Sequence, residues 1–158
     1  MTFSRFSIVL LFIVLIAGAG WWYFHAQEPS ISSINVNDSV LVAQGSAVYA
    51  RECAACHGRN LEGQTPDWRR RLPDGNLPAP PHDETGHTWH HPDTVLFEIT
   101  KFGRLKAAPP DYTTNMPAFK DKLTDQEIWA VLSYIKDQWP YAIKQRHDAL
   151  NQRYRAVR

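Results

Sequence analysis

Two cysteines three positions apart, with a histidine directly after the second, form the most reactive short stretch of this chain: Cys53-Ala54-Ala55-Cys56-His57. The 158 residues contain no other cysteine, so any thiol chemistry happens here. Three chemistries use this spacing. A redox dithiol wants its first cysteine at a helix amino terminus after a strand, where the dipole lowers the thiol pKa. Here the pair closes a helical stretch, and no strand precedes it. A structural zinc site needs two more ligands, and His57 is awkwardly close to Cys56 to share the ion. Covalent haem fits best: both thiols add to porphyrin vinyl groups, and the adjoining imidazole reaches the iron.

A haem iron that carries electrons wants a sixth ligand from the opposite side, and a thioether there raises the reduction potential. Apart from Met1 the chain has one methionine, Met116, in Asn115-Met116-Pro117-Ala118-Phe119. A methionine that only fills core space usually lies on a helix stripe. This one precedes a proline in an irregular segment, which suits a ligand.

The elements that must position these groups are helical. From Ser39 the apolar positions Val40, Ala43, Ala47 and Ala50 follow a helical interval, with Asp38 or Ser39 as cap. Residues 58–92 are rich in Pro, Gly, Asp and Asn and keep no period, so they predict a long functional loop. A short helix is predicted from Pro92 and Asp93 to Gly103. The strongest prediction covers 124–139. There Thr124 and Glu127 form a capping box, Ile128, Val131, Leu132 and Ile135 an apolar stripe, and Pro140 a stop. No run alternates like a strand. The expected fold class is all-α, with loops as long as its helices.

Taken together, Gly45 and Tyr49 on the first helix, the Cys53–His57 motif, Met116-Pro117-Ala118-Phe119, and Val131 and Tyr134 on the last helix resemble a class I c-type cytochrome. The resemblance covers about residues 40–139. It implies three to five helices with long loops around one covalent haem c, the first and last helices crossing where Gly45 lets their backbones approach. It also implies Cys53 and Cys56 as attachment points and His57 and Met116 as axial ligands.

One stretch is not generic for that family. His82, His87, His90 and His91 fall within ten residues, with Trp89 among them and Asp83, Glu84 and Asp93 close by. Such a loop can pack on the haem edge and donate to the propionates, hold a second metal such as copper, or supply a histidine in place of Met116 as distal ligand.

Charge and hydropathy set the context. Residues 6–24 carry no charge, follow Arg5 and end in Trp21, Trp22, Tyr23 and Phe24. That length approaches the ~20 apolar residues of a membrane-spanning helix, with aromatic rings at the interface. Ala17-Gly18-Ala19 also fits a cleaved signal peptide. Either way the remainder is exported. The expected plan is an anchor at 1–25, a tether at 26–38, a haem domain at 39–140 and a basic tail at 141–158. The stretch 26–140 has eleven basic and fifteen acidic residues, whereas the tail has five basic and one acidic. The tail can continue as a helix, solvated or set against an anionic lipid surface or acidic partner. Nothing pairs a basic patch with interleaved aromatics, so no nucleic-acid partner is expected.

These readings point to a mono-haem electron carrier, single-pass in a bacterial inner membrane, with its carboxy-terminal domain in the periplasm. It would exchange electrons with membrane-bound redox proteins. It would not be an enzyme, since Met116 closes the iron to substrate. The alternatives are a haem and copper-binding module, or the haem subunit of a larger dehydrogenase or oxidase.

Overall fold

The computed structural model describes residues 13–22, 32–105, 107–109 and 113–157. The chain divides into two compact units, Met1–Ser30 and Ile31–Arg158. In the first, residues 13–22 form helix α1. Among the described residues no helix is long and apolar enough to cross a membrane. The expected span, residues 6–24, lies partly outside the described residues.

The second unit is all-helical in its described residues: α2 (Ser39–Glu52), α3 (Ala54–His57), a 3-10 turn (Thr88–His90), α4 (Asp93–Phe102), α5 (Asp125–Asp137) and α6 (Tyr141–Ala156). Its termini follow from local chemistry. The Asp38 carboxylate accepts from the amides of Val40 and Leu41 and so caps α2. Thr124 and Glu127 close a reciprocal capping box on α5. Gly103 ends α4 at φ 72°, a left-handed position that favours glycine. Pro140 ends one helix and opens the next, because it stands at the N-cap of α6.

Helices α2 and α5 cross at Gly45. A Cβ there would overlap the Ala130 carbonyl oxygen and lie 2.9 Å from the Tyr134 Cβ. Tyr49 continues the seam, its ring 5.4 Å from that of Tyr134, and Val131 is buried within the same core. The expected helix crossing is therefore present, on the residues that predicted it. Gly45→Ala sets two effects against each other. Helix propensity favours alanine by about 1 kcal/mol, but the collision is with backbone, which cannot rotate away. We expect overpacking to win and lower stability by roughly 1–3 kcal/mol, read as an earlier midpoint in chemical denaturation.

The flanks of this frame are folded as well. Phe97 of α4 stacks on Trp129 of α5 at 4.4 Å. Within the stretch expected to be a tether, the Asn35 amide donates to Ser133 Oγ at 3.0 Å, and Ile34 packs on the core. Helix α6, in the stretch expected to be a tail, buries His147 and Asn151. It therefore has an inward face as well as its solvated basic one.

That face meets the start of α4. Pro92 offers α4 no side-chain cap, and Asn151 supplies one from α6: Asp93 N donates to its Oδ1 at 2.8 Å, and its Nδ2 donates to Asp93 Oδ1 at 2.9 Å. His147 Nε2 lies 2.9 Å from the His91 carbonyl oxygen, which can only accept, so Nε2 carries the proton. Lys136 pairs with Asp148. Burial first, and the Lys136 charge after it, hold His147 below the ordinary imidazole value of 6.5, against Asp93 and the His91 carbonyl. A folded-state pKa below the unfolded one means that the unfolded chain takes up protons more readily as pH falls. His147 thus contributes full stability above pH 6.5 and loses it progressively below. We expect thermal stability to fall on acidification through this range, and His147→Gln to flatten that slope.

Candidate haem site

Cys53 closes α2 and opens the single turn α3, which carries Cys56 and ends on His57. The turn is tied at both ends. The Cys53 amide donates to the Tyr49 carbonyl at 2.9 Å, and Gly63 N donates to the His57 carbonyl at 2.7 Å. The Tyr49 hydroxyl donates to the Gly58 carbonyl at 2.8 Å. Burial raises the pKa of that phenol, so it stays a donor.

Both thiols are free. Burial, with the Glu52 and Cys56 charges behind it, pushes the Cys53 thiol up to about 12. A redox dithiol needs the opposite, a thiol that ionises near neutrality. Nor do the described residues gather three or more His, Cys, Asp or Glu side chains around a common metal position.

The His57 ring is buried, and its Nδ1 lies 2.8 Å from the Pro80 carbonyl oxygen. A carbonyl has no proton to give, so Nδ1–H donates and Nε2 keeps its lone pair. Burial lowers the His57 pKa, against the pull of that carbonyl, which favours the neutral, ligating form. Sequence reasoning missed Pro80. Its signal was the run Pro78-Ala79-Pro80-Pro81, in which the prolines offer carbonyls but no backbone N–H.

Met116 is partly buried and packs on the same hydrophobic cluster as Cys53 and Trp89. Its loop runs beside the end of α4, where a Cβ on Gly103 would lie 2.9 Å from the Met116 carbonyl oxygen. Asn115 Nδ2 ties it to Asp74 Oδ2 at 3.2 Å, and the Met116 amide donates to Thr114 Oγ1 at 3.1 Å.

The histidine loop is dispersed onto aromatic partners. His82 stacks on His57 at 3.9 Å, His87 on Trp68 at 5.0 Å, and His90 on Trp89 at 3.6 Å. His91 holds α6 through its carbonyl. Trp89 Nε1 donates to the Glu84 carbonyl at 3.3 Å. Burial lowers the pKa of His82, His87 and His91 alike. His87 Nδ1 is enclosed without a hydrogen-bond partner among the described residues, so this imidazole has a polar atom to spare. A neutral imidazole with a free Nε2, two free thiols on the preceding turn and an orphaned polar atom in the facing loop suit a haem and its propionates.

An all-helical body with this thiol and imidazole set defines a c-type haem protein. The model of the cytochrome c family matches residues 42–139, well over half of the 158-residue chain. The chain belongs to the cytochrome c family; it is a haem-c electron-transfer protein, and its haem is covalently attached. The match stops at Trp139, so α6 lies beyond it. No curated protein matches the chain, and neither does any solved structure.

Proposed function

We propose that this cytochrome c is a single-haem, class I electron carrier tethered to the bacterial inner membrane, with residues 26–158 in the periplasm. Cys53 and Cys56 would bear the thioether bonds, and His57 and Met116 would hold the iron. Bound haem c supplies a one-electron ferric–ferrous couple. The chain supplies the rest. The Pro80 carbonyl fixes the His57 tautomer and ring edge. The α2–α5 frame holds the turn that carries both thiols. With His57 and Met116 both holding the iron, no open site would remain for a substrate, so the protein would carry electrons without acting as an enzyme. His87 Nδ1, enclosed without a partner among the described residues, would serve as a propionate contact.

The observation that carries this reading is the His57–Pro80 hydrogen bond, because it leaves a lone pair on Nε2 one residue beyond Cys56. The anchor rests on the uncharged run 6–24, which would concentrate the domain near membrane-bound donors and acceptors. Absorption spectra of ferric and ferrous protein test the site. Thioether-bonded, low-spin haem with the weak far-red band of methionine-ligated ferric iron is expected. Carbon monoxide binding to the reduced protein without denaturant would instead mark an open iron and an enzyme or gas-binding protein.

A further inference from the structure

Against His57 lies a second imidazole that electron transfer by itself does not call for. The ring centroids of His57 and His82 are 3.9 Å apart and their planes differ by 22°, so one face of His57 is covered by a flat ring. His82 is fixed through each of its three anchored polar groups. Its Nδ1 lies 2.8 Å from Thr88 Oγ1. Its amide donates to the Leu61 carbonyl at 2.7 Å. Its own carbonyl accepts from Trp139 Nε1 at 2.7 Å. Tyr49 meets its ring edge-on, 6.3 Å away.

The surroundings are as constrained as the ring. Leu61 is buried and has φ 69°, a left-handed conformation that a bulky residue rarely adopts without an overriding reason. In that conformation its carbonyl receives the amides of both His82 and Asp83. Thr88 is buried in the 3-10 turn. Trp139 is itself closed off by His147 of α6, ring to ring at 5.0 Å. Strain at Leu61, a buried hydroxyl at Thr88 and an indole at Trp139 thus converge on one residue, the first and last through its backbone and the second through its ring.

An axial imidazole keeps one soft motion, rotation about its bond to the metal. The Pro80 carbonyl holds the His57 ring at one edge, and a hydrogen bond at one point tolerates some turning. A parallel ring in van der Waals contact restricts it much more, since turning His57 would drive its edge into the neighbour. We infer that His82 is a positioning residue, which sets the plane of the His57 imidazole and thereby the electronic symmetry of the haem iron. This rests on His57 as axial ligand. It is separate from a metal-binding role for the loop, because it uses the face of His82 and not its nitrogen lone pair.

The test uses haem-loaded protein. In ferric low-spin protein the order of the haem-methyl proton resonances, with the principal g values, reports the axial imidazole plane. His82→Leu fills similar space without a flat ring and is expected to reorder the methyl resonances and move the reduction potential. His82→Phe keeps a flat ring and is expected to restore the wild-type order. A residue that only packs the core would lower the melting temperature and leave the order unchanged; that result in His82→Leu overturns the inference. If His82→Leu does not hold haem, His82→Asn decides. It keeps a polar group towards Thr88 but puts no ring over His57, so it must shift the methyl pattern, and an unmoved pattern overturns the inference. The wild-type spectrum separates the two levels of argument. Absence of imidazole ligation there removes the ligation reading and this inference together, whereas normal ligation with an unmoved variant removes only this one.

Discussion

Replacing Met116 by histidine is expected to keep the haem and lower its reduction potential by an appreciable fraction of the roughly 0.8 V that axial ligands span. A thioether favours the ferrous state, whereas a second imidazole is the better donor to ferric iron. The far-red ferric band should vanish while the spectrum stays low-spin. Equilibrium redox titration against mediators reads the shift directly. The substitution adds no charge near neutrality if the new imidazole ligates, so a lower potential would come from ligand chemistry. A potential that does not move would place Met116 among the packing residues of its cluster. The loop that carries it should tolerate the change. Its backbone is held by Thr114 and by the Asn115–Asp74 hydrogen bond, neither of which involves the Met116 side chain.

Removing both thiols has the largest expected effect. In the Cys53→Ser, Cys56→Ser chain no thioether can form, since these are the only two cysteines. Any pigment retained should be removed completely by acid–acetone, while the wild-type pigment resists extraction. The polypeptide should suffer too, because the space meant for haem would be left without its largest apolar surface. The loop over residues 58–92 has no regular element besides one 3-10 turn, so it should lose protection from proteolysis first. The seam between α2 and α5 should outlast it, being packed through Gly45, Tyr49 and Tyr134. A colourless wild-type protein, matured with the proper attachment machinery, would count against both substitutions' rationale at once.

Much of this was legible in the chain because it is local. Capping chemistry at Asp38, Thr124 and Gly103 needs only neighbours in sequence, and the structure uses all three. The helical periods of α2 and α5 were equally plain, and α4 was marked by its two ends. The thiol pair and its histidine form a contiguous motif whose spacing and setting narrow what it can hold. Gly45 stood out through the resemblance, which implied a close helix approach there, and the partner proved to be Ala130 and Tyr134.

What needed the tertiary structure is non-local, and mostly concerns polar groups that have to find partners once buried. The four loop histidines looked alike as a cluster, and the loop was open to haem-edge packing, a second metal or distal ligation. Folding instead gives each a different neighbour: His57, Trp68, Trp89 or α6. The inward face of α6 was carried by His147 and Asn151, four apart on one helix face, a spacing that could have flagged it. Its function as cap for α4 depends on Pro92 leaving a helix end unsatisfied 58 residues away in sequence. The sequence by itself determined the helices and the reactive motif, because hydrogen-bond spacing along a chain is set by covalent geometry. Only the tertiary structure decided which buried donor meets which acceptor, because that depends on distant segments brought together to keep polar groups paired away from water.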